Sequence, residues 1–185
     1  SSKEAEHIVR NDICQSVFTG DFALLAHAAR EQKKDAKVHI KIDTGLGRVG
    51  VPYDEAIPLI EKIAATPHLE IDGIFTPFTE DLAFDRIQLE RFLHICDTLA
   101  QKGIEYGLRH AASSAGVIAA PESYLDMVRP GIAIYGEYPS TREYKARRID
   151  LRPAVALKSR VMYLKKIQAG ESVSYHRAFV AEHET

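Results

Sequence analysis

Hydrophobic positions along the first two-thirds of the chain switch repeatedly between a period of two and a period of three to four. "SVFTG" (16–20) reads as a short strand, and Phe22, Leu25 and Ala29 after it share one helical face. "KVHIKID" (37–43) alternates strictly: Val38, Ile40 and Ile42 lie on one face, and His39, Lys41 and Asp43 on the other. Pro52 suits a helix start, with Ile57, Ile60 and Ala64 turned inward. "LEIDGIFTPF" (69–78) is the third strand. The helix after it carries Leu89, Phe92, Leu93, Cys96 and Leu99 and stops at Gly103, a residue suited to the left-handed C′ position. "YGLRHAA" (106–112) is the fourth strand, and Ser113 or Ser114 can cap a short helix ending before Pro121. "MVRPGIAIYG" (127–136) reads as the fifth strand.

Strands that alternate with helices predict a parallel sheet. Five strands fall short of the eight that close a (β/α) barrel. Past Gly136 the pattern changes. "EYPSTREYKARRIDLRP" is polar and charged and reads as a linker. "VALKSRVMYLKKIQAGESVSYHRAFVA" shows short alternating runs broken at Ala169–Gly170, the mark of antiparallel strands. The expected organisation is a barrel-type domain over residues 1–137, a linker over 138–149, and the beginning of a β domain over 150–185.

Composition narrows the function classes. The 185 residues carry a formal net charge of −2, so no broad basic surface points to nucleic acid. No apolar run approaches the ~20 residues of a membrane helix. The polar start, "SSKEAEHIVRND", has no signal-peptide core, so a cytoplasmic location is expected. Cys14 and Cys96 sit in apolar patterns far apart and read as buried free thiols. No histidine or cysteine cluster has zinc-ligand spacing, and no metal is expected.

"GLGRVG" (45–50) has the G-x-G-x-x-G form of a dinucleotide loop. That fingerprint needs an apolar strand running into the first glycine, a helix opening within the motif, and an acidic residue ~20 positions on. Glu70 meets the last demand. Lys41 and Asp43 break the first, and a helix start at Pro52 breaks the second. Two readings stay open for the polar face: a solvated edge with an ordinary glycine turn, or the C-terminal rim of a barrel with Arg48 held over its mouth. Two other strand ends bear on the choice. In "RHAASSAG" (109–116), His110 ends a strand and two serines open a helix, which is either a cap or a phosphate cradle. In "VRPGIAIYG" (128–136), Arg129 stands two residues before Gly131, which is either a bulge or a place for close ligand approach.

Together "HIKIDTGLGRVGV", "GIFTPF…QLERF", "RHAASSAG" and "VRPGIAIYG", in that order, resemble the alanine racemases, fold-type III enzymes that use pyridoxal 5′-phosphate (PLP). The similarity runs from about Ser16 to Tyr175. It implies an α/β fold: part of a (β/α)₈ TIM barrel, about strands four to eight, followed by the start of a β-rich C-terminal domain. It implies an isomerase of D-amino-acid metabolism that interconverts L- and D-alanine, cytoplasmic and homodimeric, with no nucleic-acid or membrane partner. Residue by residue, Lys41 matches a lysine that is carbamylated in many members. Arg48 matches the arginine that this carbamate holds beside cofactor and substrate. His110 matches a histidine behind the cofactor site. Ser114, Gly131 and Ile132 match phosphate contacts, and Arg129 matches the arginine facing the pyridine nitrogen.

The chain departs from the family pattern at three places. Pro77 follows Thr76 where the family has His, Ser113 replaces an Asn, and His176 replaces a Gly in "SYG". The resemblance also implies that the Schiff-base lysine and the catalytic tyrosine belong to motifs outside these residues. No catalytic residue is therefore expected within them, and the chain alone is expected to be inactive. The alternatives are a racemase for serine or a broader set of amino acids, and a non-catalytic PLP- or phosphate-binding scaffold of the same fold.

Overall fold

The computed structural model describes all 185 residues, which divide into two units, Ser1–Ala154 and Val155–Thr185. The first is organised around β2 (Ala36–Asp43), whose alternation works as the sequence pattern predicts. Val38, Ile40 and Ile42 are fully buried, while His39, Lys41 and Asp43 on the opposite face are only half-buried. Parallel to β2 lie β1 (Gln15–Val17) on one side and β4 (Leu69–Phe75) on the other, and β5 (Leu108–His110) pairs with β4. The helices α2 (Phe22–Gln32), α3 (Ala56–Ala64) and α4 (Leu82–Gln101) follow β1, β2 and β4, and their apolar stripes meet the Val38–Ile40–Ile42 face.

α4 shows how local sequence sets an element. Asp81 caps it by accepting from the Ala83 and Phe84 N–H groups. Its far end closes with Gly103 at φ +68°, where the Gly103 N–H donates to Ala100 O and the Ile104 N–H donates to Leu99 O. That paired closure satisfies carbonyls the helix would leave open, and Ile104 packs on the core beyond it. Between the caps, Leu89, Phe92, Ile95, Cys96 and Leu99 are buried at helical spacing.

Several elements differ from expectation. The fifth strand does not form. Met127 makes one isolated parallel bridge to His110, and Ile132–Tyr135 is a 3₁₀ turn. Pro130 cannot donate to a ladder, and the Gly131 backbone (φ −102°, ψ −90°) is not extended. α3 starts at Ala56, four residues after Pro52, and buries Ala56, Ile60 and Ile63 while Ala64 is exposed. Pro52 instead ends the two-residue strand β3 (Val51–Pro52), which pairs with the last residues of β2. The polar N-terminus forms α1 (Ser2–Arg10), with Ser1 and Glu4 closing a reciprocal capping box. Cys14 is exposed, lying in the irregular segment just before the first residue of β1; Cys96 is buried and free as expected.

The short α5 (Ser114–Ala119) follows β5, and α6 (Thr141–Ala146) falls within the stretch read as a linker. The second unit holds an antiparallel pair, β6 (Ser172–Val173) and β7 (Phe179–Val180), beside a turn at Ala169–Gly170 in which Gly170 has φ +86°. No helix is long and apolar enough to cross a membrane.

Phe92 is fully buried in the core cluster. Phe92→Ala is expected to cost about 3–5 kcal/mol, read as a lowered midpoint in urea unfolding.

Candidate functional site

Because β1, β2, β4 and β5 run parallel, the loops after β2, β4 and β5 leave the sheet at one edge. The first of these carries the glycine motif. The Asp43 carboxylate turns back into it and accepts from the N–H groups of Gly45 (2.9 Å), Gly47 (3.2 Å) and Arg48 (2.9 Å). Burial alone would raise the Asp43 carboxyl, but these backbone donors outweigh it and hold it below the usual range. A Cβ on Gly50 would stand 2.9 Å from the Asp43 backbone nitrogen, and Gly50 has φ +153°. The donors that a nucleotide phosphate would need are thus taken by the chain's own carboxylate, and no helix opens within the motif. The dinucleotide reading is excluded on both counts.

A second tie holds this loop to the next. Gln88, fully buried on α4, donates to Thr44 Oγ1 and to the carbonyl of Pro77, both at 3.2 Å, and accepts from the Thr79 N–H at 2.9 Å. Arg91 donates to the Thr44 carbonyl at 2.7 Å, and the Thr44 and Thr76 hydroxyls meet at 2.6 Å. Sequence reading noted "QLERF" without assigning Gln88 or Arg91 a task. The available signal was two long polar side chains at i and i+3 beside a buried stripe.

The centre of the rim is Phe75. The His110 ring stacks on it, with centroids 4.7 Å apart and planes 8° apart. The Arg129 guanidinium lies 4.9 Å from the same ring, and Lys41 Nζ lies 6.0 Å from it. Arg129 is held by three acceptors: His110 Nδ1 (2.6 Å), Thr76 O (3.1 Å) and Ala111 O (3.2 Å). Burial brings its pKa down to about 10, so it stays charged at neutral pH. Burial first, then the Arg129 charge and His39, push His110 down to about 3, so its imidazole is neutral.

Next to this group, Ser114 Oγ accepts from the N–H groups of Gly131 (2.9 Å) and Ala133 (3.2 Å). Neither serine caps α5 with its side chain. Ser113 is the N-cap by position, but its hydroxyl faces Glu80, while the Ser114 hydroxyl caps the following 3₁₀ turn instead. The structure therefore brings Lys41, His110 and Arg129 together and links Ser114 to Gly131, one residue before Ile132. Arg48 stands in the loop at the same edge, but its side chain is exposed and makes no hydrogen bond or ion pair within the chain. His176 sits at φ +61°, so the backbone keeps a left-handed residue where the family pattern has glycine.

A parallel sheet of this kind, with helices following its strands, defines an α/β barrel-type protein, and the cationic and small side chains at the carboxyl ends of the strands make the rim the candidate site. A model of the alanine racemase N-terminal domain matches residues 1–139, and the chain belongs to that family. It is 39% identical over 188 residues to an alanine racemase of Carboxydothermus hydrogenoformans, covering 99% of this chain and 50% of that one. It is 37% identical over 186 residues to an alanine racemase of Clostridium tetani, covering 97% and 48%. The crystal structure of alanine racemase from D-cycloserine-producing Streptomyces lavendulae superposes with a TM-score of 0.90 at 30% identity, over 98% of this chain and 50% of that one. The chain spans about half the length of the curated relatives it matches. The fold is that of a partial TIM barrel followed by a small β sheet.

Two outcomes follow. Asp43→Asn loses the carboxylate's hold on one or two N–H groups and is expected to cost about 1–3 kcal/mol, measured by urea unfolding. Because the folded pKa of His110 lies below its unfolded value, the native state binds fewer protons than the unfolded one. Its contribution to stability is full above pH ~6.5 and is lost as pH falls towards about 3. A ¹⁵N NMR titration should show His110 neutral throughout pH 5–8.

Proposed function

We propose that the chain is the cofactor-binding part of a PLP-dependent racemase that interconverts L- and D-alanine. The observation that carries this reading is Arg129, a guanidinium fixed by three acceptors against an aromatic floor, with the Ser114 hydroxyl holding the Gly131 and Ala133 N–H groups nearby in the chain. The residues suit PLP. No atom lies within 4 Å of where a Cβ of Gly131 would stand, so a ligand can come close to the backbone on that side. The Gly131 and Ala133 N–H groups there donate to Ser114 Oγ, and a phosphate would take them over from that neutral hydroxyl, which, unlike the Asp43 carboxylate, can itself turn to donate to an anion. In this reading Ser114, Gly131 and Ile132 hold the phosphate, His110 backs Arg129, and Arg129 faces the pyridine nitrogen. When bound, PLP supplies the electron sink that lowers the cost of removing the Cα proton.

Each side chain then has a defined task. Arg129 keeps its proton, so it holds the ring nitrogen as an acceptor and does not protonate it. With PLP bound, a guanidinium that keeps its proton would leave the ring a weaker electron sink and so favour prompt return of the proton over slower side reactions. The Arg48 side chain, with no bond of its own within the chain, is available to the substrate and the cofactor's phenolic oxygen. Carbamylation of Lys41 would give it an anion to hold Arg48 in place. The two bases that remove and return the Cα proton are assigned to other segments of the protein. The reading includes a homodimer, a cytoplasmic location, and domains over 1–137 and 150–185 joined by 138–149.

Pro77 supports a second reading, a non-catalytic PLP- or phosphate-binding scaffold, because it places a ring without a proton donor where the family has histidine. The full-length protein decides between them. The expected result is PLP-dependent exchange of the alanine α-proton; PLP binding without exchange favours the scaffold, and binding of neither PLP nor inorganic phosphate overturns both. Serine in parallel assays tests the breadth of substrate. Arg129→Glu should raise side reactions relative to racemisation by roughly tenfold, a ~1.4 kcal/mol change in relative barriers. An unchanged ratio removes the assigned role of Arg129. Intact mass in bicarbonate tests Lys41, with only the unmodified mass counting against carbamylation.

A further inference from the structure

On the sheet face below the rim, the bonds of Arg129 continue inward. His110 Nε2 lies 2.9 Å from His39 Nδ1, and His39 Nε2 lies 3.5 Å from the carboxylate of Asp72. The ends of this file are chemically one-way. A guanidinium only donates, and a carboxylate only accepts. His110 Nδ1 must therefore accept from Arg129, and its proton sits on Nε2. His39 Nδ1 must accept that proton's hydrogen bond, and its own proton sits on Nε2, facing Asp72. Every donor points from Arg129 towards Asp72.

The backbone is shaped for this arrangement. The register of β2 against β4 slips between Val38 and His39, which pair with Ile71 and Gly73 and leave Asp72 as the extra residue beside His39. A Cβ on Gly73 would stand 2.8 Å from both Cε1 and Nε2 of His39, so only glycine admits the ring there. Lys37 Nζ, 3.2 Å from Asp72, holds the carboxylate from the other side. We infer that His39 and Asp72 are positioning residues for Arg129, fixing the tautomer of His110 so that its Nδ1 lone pair always faces the guanidinium. The use made of Arg129 rests on the racemase reading; the tautomer order does not. A rival use of the same atoms is a cation site, since ligand atoms of Cys14, His39 and Asp72 lie within 4.8 Å of one another. A cation would take the His39 Nε2 lone pair, move that proton to Nδ1 and set two donors against each other at Arg129, so the two uses exclude one another.

The test is ring-¹⁵N NMR of the histidines in the full-length protein without added PLP, with signals assigned from His39→Gln and His110→Asn. The expected spectrum shows both His39 and His110 neutral with the proton on Nε2. Asp72→Leu should bring out a second set of signals with the proton on Nδ1, and Asp72→Asn, whose amide oxygen still accepts, should suppress it. A wild-type His110 carrying its proton on Nδ1 would overturn the inference. So would identical tautomer signals in the wild type and Asp72→Leu, and so would a wild-type His39 ring that shifts on addition of stoichiometric Zn²⁺. If Asp72→Leu does not fold, the wild-type and Asp72→Asn spectra still decide. A protein that fails the alanine exchange assay but shows this order would lose the racemase reading and keep the file.

Discussion

Burying Val38, Ile40 and Ile42 against the helices is the constraint on which the rest depends. A strand shows alternate residues to opposite faces. Once these three are committed to the helix side, His39, Lys41 and Asp43 have no choice but the other side. A shift by one residue would put a lysine, a histidine and a carboxylate into a dry core and three branched apolar side chains at the rim. The hydrophobic cost of that slip is what holds the polar groups in register with Phe75 and His110 on the neighbouring strands. Core packing thereby sets site geometry without any bond between the two.

At the rim, the loops are held mainly by side chains that satisfy backbone groups. Asp43 gathers three N–H groups of the glycine loop, Gln88 ties Thr44 to the Pro77 carbonyl, and Ser114 collects Gly131 and Ala133. Buried polar groups are costly when unpaired, so each tie both offsets that cost and restricts a loop to one course. Asp43 and Gly50 illustrate the coupling: the chain passes so close to the Asp43 backbone that a side chain at Gly50 would have to displace it. The loop can then present Arg48 outward while its own N–H groups remain satisfied.

The fold class, β1, β2, β4, β5 and the three following helices were legible because each rests on a periodic pattern long enough to outweigh local accidents. The parity of β2 follows from its strict alternation, and the stop at Gly103 from a single residue with a strong conformational demand. What escaped was decided by tertiary context. "MVRPGIAIYG" has strand-like composition, yet Pro130 and Gly131 break the ladder, and Ser114 turns the next residues into a 3₁₀ turn. A helix at the N-terminus was readable from the spacing of Ser1 and Glu4, but its high polarity hid it. Of the site residues, Lys41 and His110 stood out near the ends of strands, Arg129 near the start of a strand that does not form, and their roles came from the family resemblance. His39 and Asp72 did not stand out, since nothing in the one-dimensional pattern reveals the bulge that sets them side by side.

The electrostatics of the rim follow from these placements. Two cations, Arg129 and Lys41, share one aromatic floor with His110. Burial of the imidazole, then the Arg129 charge and His39, make a charged ring costly, which is why His110 is neutral far below its ordinary range. Neutrality has a structural consequence: a neutral imidazole can accept at Nδ1, while a charged one can only donate and would repel the guanidinium. The same depressed basicity that removes a charge thus creates the acceptor that fixes Arg129. The rim therefore carries the Arg129 charge and the Lys41 amine against one aromatic ring, with a neutral imidazole stacked on it.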